Sequence, residues 1–193
     1  MVIGLGLAEH LAGDDQPAIQ NFLHAVDLDP AEKTSYYFLS ILDHVPPDLR
    51  GQVAERFKRY AERFPGRADA QYYYAANLWS DDQMINTSRD DAAIESRLRR
   101  ALQIDPGFYE AHNLLATVYQ DQGKYALAVQ QFEAAIREQP SLQEAHYQLA
   151  HLLYKLGHKQ RADAEMQQFR KMHSSEKEHR IESFLLSSQG TSH

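Results

Sequence analysis

The sequence contains no cysteine, and its 193 residues include only seven prolines and nine glycines. Without cysteine the chain can form neither disulfides nor thiolate zinc sites, and it has no thiol nucleophile. The small number of helix-breaking residues leaves long uninterrupted segments, which favours helices. No segment reaches the ~20 consecutive apolar residues that a membrane-spanning helix needs, so we expect no membrane insertion.

Excess positive charge is also absent. The formal net charge is −7 and the pI is near 5.8. A nucleic-acid-binding surface needs basic side chains to neutralise phosphates, so we expect no nucleic-acid partner. The N-terminus has no basic segment before its apolar residues, unlike a signal peptide. This favours the cytoplasm, although no feature of the sequence identifies a compartment.

One segment occurs twice. Residues from Glu110 and from Glu144 align at a constant offset of 34, which also relates His112 to His146. A fixed period of this size indicates stacked supersecondary units, each too small to bury its apolar face alone.

The clearest unit, residues 109–140, predicts two helices joined by a tight turn. Apolar residues recur every three or four positions in each half, which is typical of one buried helix face. Gly123 lies between the halves, where glycine accepts a positive φ at little cost. Pro140 ends the second helix because it has no N–H to donate.

This pattern resembles the tetratricopeptide repeat (TPR) family, whose units are 34-residue helical hairpins. The matching residues are Leu115, Ala116, Tyr119, Ala128, Phe132, Ala135 and Pro140. The resemblance implies an all-α, right-handed solenoid of antiparallel helix hairpins with a C-terminal capping helix.

The prolines that end the units predict the domain organisation. They stand at 30, 65, 106 and 140, which gives units of about 1–30, 31–65, 66–106, 107–140 and 141–173. The longer third unit predicts an inserted loop near 80–91. Ser175 and Glu178 form a capping box, which predicts a separate capping helix over 174–187, followed by a tail over 188–193.

The first unit begins at its third position, since Met1 lies two residues inside the repeat register. We therefore expect the 193 residues to be an excerpt of a longer polypeptide. The alternative is a native start with a frayed first helix.

Nothing in the sequence supports catalysis or a metal site. Its ten histidines include no H-E-x-x-H motif, and the aspartates of residues 80–91 lack the order of a calcium-binding loop. No nucleophile elbow or phosphate-binding glycine loop is present. We therefore expect no enzyme activity, no catalytic residue, no metal and no cofactor.

The TPR resemblance also implies binding residues, because the first helix of each repeat lines a concave groove in that family. The residues at the groove positions that we select are Tyr37, Tyr72, Trp79, Asn113, Gln120, Tyr147, His151 and Tyr154. Aromatic side chains bury a large area at little entropic cost, so this lining suits a protein or peptide partner. The alternative for Tyr37 and Tyr72 is packing between neighbouring repeats.

The resemblance thus implies a non-catalytic protein–protein interaction scaffold that binds a peptide segment or partner helix in its groove. Two alternatives stay open. The chain could be a self-association module forming a homodimer through its apolar N-terminal helix or its last helix. It could also be a regulatory arm of a longer multidomain enzyme.

Overall fold

The computed structural model describes residues 1–42, 44–85 and 90–189, and it describes side chains in these ranges except at 81–85 and 175–189. Over these residues every regular element is an α-helix, which confirms the all-α class. The ten helices are α1 (Val2–Leu11), α2 (Asp15–Leu28), α3 (Lys33–Ile41), α4 (Pro47–Arg63), α5 (Ala68–Ile85), α6 (Asp91–Ile104), α7 (Tyr109–Asp121), α8 (Tyr125–Glu138), α9 (Gln143–Lys155) and α10 (Lys159–Gln189).

Three of the helical hairpins turn at a glycine. Gly13, Gly123 and Gly157 have φ values of 86°, 72° and 82°. Residues with a side chain rarely adopt this left-handed conformation, so glycine is the residue that permits so short a turn. The glycine turn predicted at Gly123 is confirmed.

The helices form two compact units, Met1–Ala111 and His112–His193. In the N-terminal unit, aromatic rings fill the core: Tyr36 stacks on Tyr60 with ring centroids 3.9 Å apart and lies 6.1 Å from Phe57. Helix α1 packs closely on α2 at Gly6, where an added Cβ would lie 2.9 Å from Phe22 Cε1.

In the C-terminal unit, small residues alternate with large ones in the core. Ala116 and Ala150 are fully buried, and Phe132 and Leu149 are each only 1% exposed. The alanines let the helix backbones approach, and the larger side chains fill the remaining space.

Three hairpins share a polar contact between their two helices. The pairs are Gln71–Arg97, His112–Gln131 and His146–Glu165. His146 is 6% exposed; its Nδ1 lies 2.6 Å from Glu165 Oε2 and its Nε2 lies 3.1 Å from the Pro140 carbonyl oxygen. These partners satisfy polar groups that would otherwise be buried at a cost.

Two predicted element boundaries differ in the structure. Helix α5 continues to Ile85, so the loop expected over 80–91 starts later; the rest of it falls largely at 86–89, outside the described residues. Residues 80–85 contain neither glycine nor proline, so nothing ends the helix there.

The second difference is at the C-terminus. Helix α10 runs without interruption from Lys159 to Gln189, so the separate helix expected from residue 174 is absent there. No glycine or proline occurs between these residues. Ser174 Oγ donates to the Lys171 carbonyl oxygen at 2.9 Å, as serine does inside a helix.

Candidate protein-binding site

An open depression of about 590 Å³ lies on the N-terminal unit, between the first turns of α3 and α5 and the α6–α7 connection. We call it the α3–α5 pocket. Its apolar lining comes from Tyr37, Tyr73 and Phe108, and Lys33 and Asp105 add opposite charges. Its composition is therefore aromatic with a few polar groups, which is typical of recognition sites.

The aromatic rings of the α3–α5 pocket differ in exposure. Tyr37 is 48% exposed, whereas Tyr73 is only 8% exposed. Phe108 is half-buried and packs on Tyr72, with ring centroids 5.0 Å apart. Tyr37 therefore offers free ring surface, and Tyr72 supports Phe108 from behind.

An ion pair fixes one wall of the pocket. Arg67 Nε and Nη2 donate to the two carboxylate oxygens of Asp69 at 3.0 and 2.7 Å, and the Tyr60 hydroxyl donates to Asp69 Oδ2 at 3.0 Å. Arg67 Nη1 also donates to the Ala31 carbonyl oxygen at 2.8 Å. Bidentate pairs of this kind hold geometry as well as charge, so this wall is rigid.

The ionisation of these wall residues follows from the same contacts. Burial alone would raise the pKa of Asp69, but the hydrogen bonds from Arg67 and Tyr60 outweigh it and lower the pKa below its usual value. Burial raises the pKa of Tyr60, and the neighbouring Asp69 carboxylate raises it further. Asp69 is therefore ionised at neutral pH, and Tyr60 stays a neutral donor.

The charged rim of the α3–α5 pocket is exposed. Lys33 begins α3 with its side chain in solvent, and Asp105 is exposed in the α6–α7 connection. Asp105 Oδ1 accepts from the Gly107 N–H at 3.0 Å, which fixes the carboxylate at the rim. A cation and an anion on one rim can orient a ligand that carries both charges.

Trp79 lies on α5 about two helical turns beyond Tyr73. It is half-buried, and it does not line the α3–α5 pocket. Its predicted role as a binding residue stays a prediction.

The C-terminal unit presents a second aromatic surface, on α9. Three of its side chains are exposed: Tyr147 by 36%, Tyr154 by 41%, and His151 as well. Their spacing of four and three residues puts them on one face of the helix. Tyr147 packs beside His151 and beside Phe169 of α10, with centroid distances of 4.5 and 5.2 Å. The structure brings these three predicted residues together.

The Tyr154 hydroxyl donates to the Asp163 carboxylate at the start of α10. That hydrogen bond raises the pKa of Tyr154 above its usual value, so the phenol stays neutral. The contact also fixes the position of an exposed ring.

Asn113 and Gln120 lie on α7 of the same unit. Gln120 Nε2 donates to Gln148 Oε1 at 3.3 Å, and Gln148 Nε2 donates to Glu144 Oε1 at 2.5 Å. The side-chain oxygens of Asn113 and Gln120 are buried and accept no hydrogen bond from the described residues. These two side chains are thus partly enclosed, unlike the exposed rings of α9.

Of the residues that line the pocket, our selection from the groove register contained only Tyr37; Lys33, Tyr73, Asp105 and Phe108 are among those it did not contain. Phe108 lies in a connection after Pro106 and Gly107, outside any helix, so no helical register could select it. The only signal in the sequence is local, namely an aromatic residue directly after a Pro-Gly turn.

The described residues support neither a metal site nor a membrane-spanning helix. They contain no cluster of three or more His, Asp or Glu side chains able to hold a metal ion. No helix among them combines the length and apolarity required to cross a membrane. A further depression of about 500 Å³ is lined by three arginines of α4 together with the carboxylates of Asp27 and Glu62, and Arg56 pairs with Asp27 at 2.9 Å.

Comparison with known proteins identifies the fold. A sequence model of the family described as anaphase-promoting complex, cyclosome, subunit 3 matches residues 95–168. A thermophilic TPR protein of Thermus thermophilus superposes with a TM-score of 0.71 at 18% identity, covering 96% of this chain and 97% of that one. This chain has the tetratricopeptide-repeat fold. The fold that the sequence resemblance implies is thereby confirmed.

Two further TPR-fold structures are similar to this chain. PilF of Pseudomonas aeruginosa has a TM-score of 0.69 at 19% identity, covering 89% of this chain and 74% of that one. YrrB, described as a TPR protein with an unusual peptide-binding site, has a TM-score of 0.56 at 16% identity, covering 89% and 84%. No curated protein sequence matches the chain significantly. At these identities the structural likeness establishes the fold.

Proposed function

We propose that this TPR chain is a non-catalytic protein-interaction module, and that the α3–α5 pocket binds a peptide segment of another protein. The exposed Tyr37 ring carries the proposal, because nearly half of a large aromatic side chain is left free beside an open pocket. Burying such a ring is a typical source of binding energy at protein interfaces.

The walls of the pocket favour a preorganised site. The Arg67–Asp69 pair and the Tyr72–Phe108 contact hold their side chains before any partner arrives. Binding then loses little side-chain entropy, which leaves more of the contact energy as affinity. YrrB, which shares the fold, is described as having a peptide-binding site, and this supports the class of ligand.

A peptide fits the pocket better than a small molecule for a chemical reason. The lining comes from three separate segments and carries an exposed cation, Lys33, and an exposed carboxylate, Asp105, at its rim. An extended peptide can place an apolar side chain against Tyr37 and Phe108 while its polar groups reach both rim charges.

A peptide library of about a dozen randomised positions, selected on the wild-type chain, tests the proposal. Selected peptides are labelled, and their dissociation constants are measured by fluorescence polarisation. We expect Tyr37→Ala and Phe108→Ala each to weaken binding at least ~10-fold, as loss of an aromatic anchor does.

Tyr154→Ala is the matched control, because Tyr154 is 41% exposed on the corresponding helix of the other unit. It should leave the affinity unchanged. Enrichment of no peptide, or loss of affinity only in Tyr154→Ala, would overturn the assignment to the α3–α5 pocket.

A further inference from the structure

A cleft of about 500 Å³ with a basic rim lies where α4 packs on α2. We call it the arginine cleft. Arg56, Arg59 and Arg63 of α4 line it, and their spacing of three and four residues puts them on one face of the helix. Its other lining residues are Val26, Asp27, Pro30, Tyr36, Tyr60 and Glu62. The cleft therefore combines three guanidinium groups with apolar and aromatic side chains.

Asp27 shows how an arginine of this cleft binds an oxyanion. Arg56 Nε and Nη2 donate to the two carboxylate oxygens of Asp27 at 3.3 and 2.9 Å. One guanidinium group thus satisfies both oxygens of one carboxylate, and the two charges cancel. A ligand in the cleft would therefore meet mainly the charges of the other two arginines.

Arg59 and Arg63 are not held by strong ion pairs. Arg59 Nε lies 3.7 Å from Glu55 Oε1, and both side chains are more than half exposed, so this contact stabilises the fold little. Arg63 forms no ion pair with any side chain that the structure describes. Its guanidinium carbon lies 5.7 Å from the centre of the Phe64 ring. Both arginines can therefore turn toward a ligand without losing a strong ionic partner.

Tyr36 adds a neutral hydroxyl donor to the cleft. Its side chain is 2% exposed, and its ring stacks on Tyr60 with centroids 3.9 Å apart. Burial and the Asp27 carboxylate raise the pKa of Tyr36 to about 12, against the opposing effect of the three nearby arginines, so the phenol keeps its proton. The hydroxyl donates to the Pro30 carbonyl oxygen at 3.3 Å, which is long for an O–H donor. It can therefore donate to an anion in the cleft instead.

The charge and geometry of the lining favour an oxyanion with more than one negative charge. Arg59 and Arg63 each carry a positive charge, and Glu62 opposes them in part. A carboxylate has two acceptor oxygens, which a single guanidinium group satisfies. A phosphate monoester has three acceptor oxygens and about two negative charges near neutral pH, so it can use both guanidinium groups and the Tyr36 hydroxyl.

We propose that the arginine cleft binds a phosphate group, which Arg59 and Arg63 hold together and to which the Tyr36 hydroxyl donates. The ligand is inorganic phosphate or a phosphate ester, whose organic group would pack on Val26 and Pro30. The residues that line the arginine cleft and those that line the α3–α5 pocket do not overlap, so this site is independent of peptide binding there.

Isothermal titration calorimetry of the full chain, in a buffer without polyvalent anions, tests the proposal. The three ligands are inorganic phosphate, phenyl phosphate and acetate. We expect both phosphates to bind at least ~10-fold more tightly than acetate. Tighter binding of phenyl phosphate would identify an ester as the ligand, and tighter binding of inorganic phosphate would identify the free ion; either order supports a phosphate site.

The variant Arg59→Gln/Arg63→Gln tests whether the arginine cleft itself is the site. Both side chains are exposed, so the melting temperature should change little, whereas phosphate affinity should fall at least ~10-fold. Arg99→Gln/Arg100→Gln is the matched control, because it removes two exposed arginines from α6 of the same unit; it should bind normally. Tyr36→Phe keeps the ring and removes the hydroxyl, and it should weaken binding at least ~3-fold.

Acetate binding as tightly as the phosphates, or no heat of binding with either phosphate, would overturn the proposal. So would unchanged affinity in Arg59→Gln/Arg63→Gln. An equal loss of affinity in Arg99→Gln/Arg100→Gln would show that phosphate responds to the net charge of the unit and not to a site in the arginine cleft, and this too would overturn it.

Discussion

Removing the Asp69 charge should destabilise the N-terminal unit in a pH-dependent way. Asp69 accepts three hydrogen bonds, two from Arg67 and one from Tyr60, and its side chain is 21% exposed. The substitution Asp69→Asn would keep the shape of the side chain but lose its charge. Its amide N–H₂ would then face the N–H and O–H donors of Arg67 and Tyr60, with which it cannot form hydrogen bonds. Loss of charge-assisted hydrogen bonds in a partly buried site costs about 1–3 kcal/mol.

The direction of the pH effect follows from the lowered pKa of Asp69 in the folded chain. A carboxyl group whose folded pKa lies below its unfolded value of ~3.9 stabilises the fold above that value, and this stabilisation is lost as the pH falls through the folded pKa. The difference between wild type and Asp69→Asn should therefore be constant near neutral pH and shrink in acid below about pH 4.

Urea unfolding at a series of pH values measures this difference. Circular dichroism reports the whole chain, while Trp79, the only tryptophan and a residue of the same helix as Asp69, reports the N-terminal unit. Glu62→Gln removes an equal charge from an exposed site on α4 and should change stability little. An Asp69→Asn effect equal to that of Glu62→Gln, or one unchanged in acid, would refute the reasoning.

Two further predictions concern packing in each unit. In thermal unfolding, Gly4→Ala should stabilise the chain by up to ~1 kcal/mol, because nothing lies within 4 Å of the added Cβ. Gly6→Ala should lose that gain or destabilise the chain, because its added Cβ would lie 2.9 Å from the Phe22 ring. Equal effects of the two substitutions would show that α1 does not pack closely on α2. A double-mutant cycle with His146→Ala and Glu165→Ala should give a coupling of about 1–3 kcal/mol in urea unfolding, given the 2.6 Å contact of a buried imidazole. Strict additivity would show that the two side chains do not interact.

The fold could be predicted from the sequence because the repeat determines local structure. Gly123 and Gly157, one period apart, both adopt the positive φ that a short hairpin turn needs. Boundaries without such a residue were predicted less well. Neither residues 80–85 nor the segment around Ser174 contains glycine or proline, so α5 and α10 continue past the expected ends.

The candidate site could be predicted only in part, since register gives the face of a helix and not the neighbours of a side chain. It selected Tyr37, whose ring is exposed at the α3–α5 pocket. It also selected Tyr72, whose ring the structure shows packed on Phe108. An aromatic side chain can contact a partner directly, or it can support another side chain that does. Which of the two applies depends on the connections between helices, where periodicity carries no information.

The same register separates buried from exposed positions on each helix. On α9, Ala145 and Leu149 are buried, whereas Tyr147, which lies between them in the sequence, is 36% exposed. The buried positions follow the packing rule that every repeat shares. The exposed positions vary from repeat to repeat, as Asn113 and Tyr147 do one period apart, so they are the positions that can encode specificity for a peptide.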